Sequence, residues 1–222
     1  MPKELVKDLE NIFILGRGDS LLRCPVKKPE KTEYWGCNSV YKAREVDRLF
    51  IMHDLYVTQF NRDNDLIKNV NEKEFPVYTL GGYEEIKNNV LYPMEEVIAE
   101  FKIAYFLTNI AYMLALAILQ KPKHILLFGV DMDWGTQVEY LREEKANVEY
   151  WIGVVTGKGI EMQITQESTL LKRKGRGNFY GMIVRKDDSK SANHSVVLEP
   201  QYEWGKEKSA MRYKIMKIEN TI

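Results

Sequence analysis

A short apolar run that leads into a glycine-rich turn is the feature of this sequence with the clearest chemical use. The run covers residues 11–15, and the turn consists of Gly16, Arg17, Gly18, Asp19 and Ser20. Two glycines allow a sharp turn and a close approach to a ligand, and Asp19 or Ser20 can cap a following helix. We expect free N–H groups of the turn to face a phosphate, with the Arg17 guanidinium pairing with the same anion. The alternative is a plain structural turn, because Leu21 stands where the dinucleotide-binding fingerprint has its third glycine.

Polar residues also follow two further apolar runs. Asn38 comes directly after residues 34–37, and His53 and Asp54 come after residues 48–52. Because the carboxyl ends of parallel strands open on the same side of a sheet, we expect these residues to face the glycine turn. His53 or Asp54 can then act as a general base, since imidazole titrates near neutral pH. Alternatively, His53 satisfies a strand-end carbonyl or caps a turn.

Two more polar pairs border the most apolar part of the chain. Thr108 and Asn109 open a long apolar stretch, and at the start of a helix they offer hydroxyl, amide and N–H donors to a phosphate or a pyrimidine edge. Asp131 and Asp133 follow the apolar run 124–130, and together they can share a Mg²⁺ ion bound to a diphosphate. The alternative for Asp131 is a cap on the turn that follows it.

The order of the apolar segments predicts the elements that position these residues. Strand-like runs alternate with helical stretches, and the stretch 94–120 is apolar almost all round in its middle, which indicates one buried helix. This alternation predicts an α/β fold, a Rossmann-like and mostly parallel sheet flanked by helices. Residues 137–147 lack a clear period and suggest a mobile segment near a site, whereas residues 168–172 suggest a short helix.

The character of the chain changes after a basic, glycine-broken link at residues 172–177. Strand-like runs at 180–185 and 211–218, separated by polar turns, predict a small antiparallel β appendage. We therefore expect a Rossmann-like domain at residues 1–177 and a C-terminal β extension at 178–222. Because exposed paired strands need to be covered, this extension is a candidate surface for homo-oligomer formation.

Composition excludes several classes of protein. The 222 residues contain 32 Lys and Arg against 32 Asp and Glu, so no global field draws the chain to nucleic acid or to an anionic membrane. No apolar run is long enough for a transmembrane segment, and the charged first ten residues do not form a signal peptide, which together predict a cytoplasmic protein. Cys24 and Cys37 lack metal-ligand spacing, which argues against a zinc site.

Several short motifs occur in an order that is found in one group of proteins. They are the glycine turn at 16–20, Cys37-Asn38, Thr108-Asn109, Gly129-Val130-Asp131, Tyr150-Trp151-Ile152-Gly153 and the segment from Gly159 to Ser168. In this order the chain resembles bacterial sialyltransferases of the Campylobacter lipo-oligosaccharide type. It equally resembles their Rossmann-like relatives, which include flagellin-glycosylation accessory factors and archaeal pterin pyrophosphokinases.

The resemblance implies a ligand and a set of contacts for it. In that family the corresponding positions surround the nucleotide of a cytidine-activated sugar, which implies a CMP-type nucleotide or nucleotide sugar as ligand here. The implied nucleotide contacts are Gly16, Gly18, Ser20, Asn38, Thr108 and Asn109.

Two positions depart from the family pattern. Arg17 replaces an asparagine of the glycine turn, and Val154 stands where the family places its catalytic histidine after the Tyr-x-x-Gly segment. A valine cannot take a proton, so a glycosyltransferase-like reaction would need another base, for which His53 and Asp54 are the candidates. The alternatives are a Mg²⁺-dependent diphosphokinase of the pterin type that uses Asp131 and Asp133, and a non-catalytic binding or assembly protein of phage origin.

Overall fold

The structure, a computed structural model, describes residues 8–56, 65–133 and 139–172, together with the backbone of three strands nearer the C-terminus. The chain divides into two compact units, Met1–Leu170 and Leu171–Ile222. In the described part of the chain, no helix is both long and apolar enough to cross a membrane.

The first unit is built on a seven-stranded sheet in which all neighbouring strands are parallel. The strand order is β5-β4-β3-β2-β1-β6-β7. The strands are β1 Asn11–Leu15, β2 Thr32–Cys37, β3 Arg48–Ile51, β4 Val77–Thr79, β5 Asn89–Leu91, β6 His124–Phe128 and β7 Glu161–Ile164. With helices between them, these strands confirm the predicted α/β class.

The central strands are buried on both faces. Every residue of β2 and β3 is buried, and Ile12, Ile14 and Trp35 have no exposed surface. Continuous burial of this kind is typical of parallel strands that are covered from both sides. Aromatic rings of neighbouring strands stack within this core, as Phe50 does with Tyr78 at a centroid distance of 4.7 Å.

A buried ion pair joins β2 to β3. Arg48 Nε donates to Glu33 Oε2 at 2.7 Å, and both side chains are almost completely inaccessible to solvent. Trp35 Nε1 donates to the same carboxylate at 2.7 Å, and Arg48 Nη1 donates to the Tyr78 hydroxyl at 3.0 Å. Because these donors surround the carboxylate, the cost of burying two charges is offset by direct hydrogen bonds.

The described helices are α1 Leu66–Asn71, α2 Met94–Phe101, α3 Asn109–Leu119 and α4 Glu139–Gly157. The prediction of one helix over 94–120 is wrong, because the chain leaves helical geometry between α2 and α3. Lys102 ends α2 in a left-handed conformation with φ of 56°, and Thr108 caps α3 by accepting the Ala111 N–H at 3.1 Å.

The segment between α2 and α3 is fixed by side chains of α4. Asn147 donates to the Tyr105 carbonyl at 2.9 Å and accepts from the Leu107 N–H at 2.9 Å, while Trp151 Nε1 donates to the same carbonyl at 2.8 Å. The backbone of this segment therefore finds its partners on another helix instead of in its own. The residues that supply them lie about forty positions further along the sequence, where a local pattern does not reveal them.

Three other local expectations differ from the structure. The backbone of residues 139–147 belongs to α4, although the sequence suggests a mobile segment there. Residues 168–172 form turns instead of a short helix, since the Ser168 hydroxyl donates to the Val130 carbonyl and the Thr169 N–H donates to the Asp131 carbonyl. Strand β5 has no counterpart in the prediction because its short sequence is half exposed at the sheet edge.

The second unit contains a three-stranded antiparallel sheet with the order β10-β9-β8. Its strands are β8 Met182–Lys186, β9 Val196–Pro200 and β10 Arg212–Tyr213. Residues 173–177 of the basic link lie outside the described residues. The domain boundary at 177 and the role of the extension in self-association stay predictions.

Candidate functional site

The strand order reverses between β1 and β6, and the carboxyl ends of these two strands mark the place where a ligand is expected. From β1 the chain adds strands outward on one side as far as β5, and then returns to add β6 on the other side of β1. In open α/β sheets, ligands bind where the order reverses, because the connections leave the two strand ends in opposite directions. Most of the residues predicted for the site follow β1, β2, β3 or β6, and Thr108 and Asn109 stand at the start of α3.

The glycine turn after β1 packs tightly against the turn after β6. The Gly16 N–H donates to the Phe128 carbonyl and the Gly18 N–H donates to the Gly129 carbonyl, each at 2.8 Å. A Cβ atom on Gly16 would lie 2.3 Å from the Gly129 carbonyl oxygen, so glycine is required for this approach. Gly129 itself has φ of +68°, and a Cβ atom on it would lie 2.5 Å from the Gly16 carbonyl oxygen.

Ser20 and Asp131 fasten the two turns together. The Ser20 hydroxyl donates to Asp131 Oδ1 and accepts the Gly129 N–H at 2.8 Å, and the Ser20 N–H donates to Asp131 Oδ2 at 3.0 Å. We call this arrangement of Ser20, Gly129 and Asp131 the turn clamp. It corrects the expectation that the N–H groups of Gly16, Gly18 and Ser20 are free, because all three donate within the protein.

The turn clamp also bears on the proposed metal site. Both carboxylate oxygens of Asp131 accept hydrogen bonds from Ser20, and Asp133 is exposed two residues further on. Among the described residues, no group of three or more His, Cys, Asp or Glu side chains is placed to hold a metal ion. Asp131 therefore caps a turn, although it is the turn after β1 and not the one after β6 that the sequence suggests.

A second cluster joins the ends of β2 and β3 to the start of α3. Asn109 Oδ1 accepts the Met52 N–H at 2.9 Å, and Asn109 Nδ2 lies 3.4 Å from Asn38 Oδ1. Asn38 has a left-handed backbone with φ of 52°, which asparagine tolerates better than most residues. In the described part of the chain, the Asn38 amide nitrogen and the backbone N–H groups of Asn109 and Ile110 have no hydrogen-bond acceptor.

Arg17 lies on the glycine turn and carries the positive charge that acts on the end of β2. It is an exposed residue of the glycine turn, and its charge acts on the buried thiol of Cys37, the residue that precedes Asn38. Burial raises the pKa of Cys37 to about 12, and the nearby Arg17 guanidinium opposes this rise. The positive charge of Arg17 therefore acts at the end of β2, one residue before Asn38.

His53 follows Met52 directly and so lies beside the asparagine cluster in the chain. Burial lowers the pKa of the His53 imidazole below its usual range, and the negative charge of Asp54 opposes this shift. The neutral imidazole is therefore the form present at neutral pH, and this is the form that can accept a proton. Asp54 is exposed, and its Oδ1 accepts the Tyr56 N–H at 2.9 Å.

The aromatic residues and Val154 of the family-like segment 150–154 lie within α4. Trp151 is fully buried and stacks on Phe106 at a centroid distance of 5.0 Å, so it belongs to the core. Residue 154 lies roughly 22 Å along the helix axis from residue 139. Helix α4 leads from the carboxyl end of β6 to the start of β7. Val154, in its C-terminal part, therefore lies toward the end of the sheet at which the strands begin. The position of Val154 in the structure does not support its alignment with the catalytic histidine of the family.

Solved structures of one sialyltransferase are similar to this chain, whereas no model of a known protein family and no curated protein matches it. The sialyltransferase CstII from Campylobacter jejuni in complex with cytidine-5'-monophosphate is 19% identical, over 73% of this chain and 82% of CstII, with a TM-score of 0.47. Its complex with CMP-3FNeuAc is also 19% identical, over 73% and 83% of the two chains, with a TM-score of 0.48. Its complex with a trisaccharide acceptor and CMP is 18% identical, over 70% and 80%, with a TM-score of 0.46. Values at this level do not assign an activity, which has to be inferred from the residues of this chain.

Proposed function

We propose that this chain binds a cytidine nucleotide or nucleotide sugar at the carboxyl edge of its sheet and acts as a glycosyltransferase-like enzyme. The observation that carries the proposal is the meeting of Asn38 and Asn109 beside the reversal of strand order, next to an exposed cation on the glycine turn. The cytidine form follows from the resemblance of the sequence to transferases that use cytidine-activated sugars.

The asparagine cluster suits the nucleoside part of such a ligand. An amide side chain both donates and accepts, which matches the mixed edge of a pyrimidine and the hydroxyls of a ribose. Asn109 is held by the Met52 N–H, so its amide is oriented before a ligand arrives. The Asn38 amide nitrogen is then the donor available to the ligand on the side of β2.

The phosphate of the ligand would lie between Arg17 and the first turn of α3. Thr108 caps this helix, and the N–H groups of Asn109 and Ile110 project from its positive end. Arg17 adds a full positive charge in a planar fork that fits two phosphate oxygens. Gly16, Gly18 and Ser20 contribute indirectly, because the turn that they form carries Arg17.

The reaction would be attack of an acceptor hydroxyl on the anomeric carbon of the donor sugar. The new carbon–oxygen bond forms as the bond to the nucleotide phosphate breaks, and the phosphate leaves with the bonding electron pair. Neutral His53 is the proposed base for the acceptor proton. Arg17 and the start of α3 would stabilise the charge that develops on the leaving phosphate.

Calorimetric titration with cytidine, uridine, guanosine and adenosine monophosphates tests the binding half of the proposal. We expect binding of CMP, and absence of heat with all four at millimolar concentration would contradict it. Release of free sugar from a CMP-activated donor tests the chemical half. We expect turnover by the wild type and slower turnover by His53→Gln at unchanged CMP affinity. Binding without any turnover would instead indicate a non-catalytic binding protein.

A further inference from the structure

The segment that carries His53 is fastened by a tyrosine from the neighbouring strand connection. Tyr83 lies in the turn after β4, where its N–H donates to the Gly81 carbonyl at 3.1 Å. Its hydroxyl accepts the Leu55 N–H at 3.3 Å and lies 3.4 Å from Asp54 Oδ1, to which it can donate its proton. Tyr83 packs partly against the core and Leu55 is buried, so both ends of this connection are anchored.

The Asp54 carboxylate is oriented by two donors at once. Its Oδ1 accepts the Tyr56 N–H at 2.9 Å in addition to the Tyr83 hydroxyl. The rings of Tyr56 and Tyr83 lie 5.4 Å apart, and the Tyr56 hydroxyl donates to Glu85 at 2.6 Å. We call the set of Asp54, Leu55 and Tyr83 the Tyr83 bracket. It ties the connection after β3 to the connection after β4.

His53 is the residue directly before this bracket. Burial lowers the pKa of its imidazole, and the negative charge of Asp54 opposes this shift. The position of the Asp54 carboxylate therefore influences how readily His53 takes a proton. Tyr83 fixes that position and the backbone on which His53 is carried, although its contacts are to Asp54 and Leu55.

We propose that Tyr83 is a positioning residue for His53, and that its hydroxyl holds the Asp54 carboxylate and the Leu55 backbone in the arrangement that presents the imidazole. The proposal rests on the proposed function only in so far as His53 is the base of the reaction. The structural part can be measured without any turnover.

A histidine titration by proton NMR on the full chain is the direct test. The chain contains three histidines, His53, His124 and His194, so the His53 resonance is assigned by its loss in His53→Gln. We expect Asp54→Asn to lower the pKa of His53, because the opposing negative charge is removed. We expect Tyr83→Phe to change it in the same direction by a smaller amount, because the carboxylate is released toward solvent.

Tyr56→Phe is the matched control, since it removes the hydroxyl that bonds Glu85 while leaving the neighbouring ring and the Asp54 contact to its backbone. We expect its His53 titration curve to coincide with that of the wild type. A Tyr83→Phe curve that also coincides with the wild type would overturn the proposal, as would equal shifts in Tyr83→Phe and Tyr56→Phe. Should Tyr83→Phe fail to fold, an unchanged His53 titration in Asp54→Asn would overturn it as well.

Turnover separates this proposal from the proposed function. If the chain transfers sugar, Tyr83→Phe should lower kcat with little change in KM for the nucleotide donor, since the nucleotide contacts lie on β1, β2 and α3. If the predicted titration shifts occur but the wild type shows no turnover, the positioning role stands and the glycosyltransferase assignment fails. If turnover occurs and is unaffected by Tyr83→Phe, the positioning role fails and the assignment stands.

Discussion

Substitution of Ser20 by alanine should destabilise the protein far more than an ordinary serine substitution. The Ser20 hydroxyl donates to Asp131 and accepts the Gly129 N–H at 2.8 Å, and the residue is only 2% exposed. Alanine leaves the buried Gly129 N–H without an acceptor, which costs about 1–3 kcal/mol, and removes a hydrogen bond to a carboxylate worth about 1.5–3 kcal/mol. Because the two losses share one site, we expect the free energy of unfolding to fall by about 2–4 kcal/mol in total.

Urea unfolding monitored by circular dichroism measures this change. Ser39→Ala is the matched control, because Ser39 is half buried in the short 3-10 helix after β2 and makes no hydrogen bond with the described residues through its side chain. We expect the control to alter stability by less than about 0.5 kcal/mol. If Ser20→Ala is no more destabilising than Ser39→Ala, the turn clamp does not hold the glycine turn and this reasoning is refuted.

Three further predictions follow from other parts of the structure. Gly16→Ala should lower the free energy of unfolding by at least about 2 kcal/mol, because the new Cβ would lie 2.3 Å from the Gly129 carbonyl oxygen. Gly153→Ala is the control, since a Cβ there meets open space and should raise the free energy of unfolding by up to about 1 kcal/mol. Thermal unfolding of both variants checks this prediction. Glu33→Gln should lower the free energy of unfolding, measured in urea, by about 3–5 kcal/mol, because it leaves the Arg48 cation buried without its counter-charge. Glu10→Gln, which removes a charge from an exposed ion pair, should have little effect. His53 has a lowered pKa in the folded state, so the unfolded state takes up its proton first and stability should fall as pH drops below about 6.5. A wild type that loses no more stability than His53→Gln between pH 7.5 and pH 5.5 would contradict this assignment.

The sheet could be predicted from the sequence because burial on both faces leaves a continuous apolar run. The runs at Asn11–Leu15 and His124–Phe128 appear as β1 and β6 with almost the predicted bounds. Thr108 marks the start of α3 in the sequence, but the segment between α2 and α3 could not be predicted in detail, because its hydrogen-bond partners, Asn147 and Trp151, lie on a distant helix. Local sequence patterns show which residues are buried. They carry little information about which distant side chain forms hydrogen bonds with the backbone of a segment.

The site residues named from the sequence stay a prediction, and the structure shows which of them lie together. Parallel strands bring their carboxyl ends together, so Asn38 after β2 and the residues after β3 could be expected at one edge from the sequence. The contacts of Asn109 at the start of α3 with Met52 and Asn38 are shown only by the structure. The hydrogen bonds of Ser20 to Asp131, 111 positions away, could not be expected, and they turn a presumed set of ligand donors into an internal clamp. Gly129 enters the sequence prediction only as part of a motif, and Tyr83 does not enter it at all. A glycine directly after a buried strand was a usable indication for the first, but nothing local indicates the second.

The central claim is that a cytidine nucleotide binds next to Asn38, and calorimetric titration of CMP into Asn38→Gly tests it most directly. Glycine accommodates the left-handed backbone of Asn38, so this variant removes the amide without straining the chain. Lys121→Gly is the matched control, since Lys121 also has a positive φ, of 51°, but follows α3 at the other end of the helix. We expect CMP to bind the wild type and Lys121→Gly equally and to bind Asn38→Gly about tenfold more weakly. Equal affinity of all three proteins for CMP would contradict the proposed position of the nucleotide.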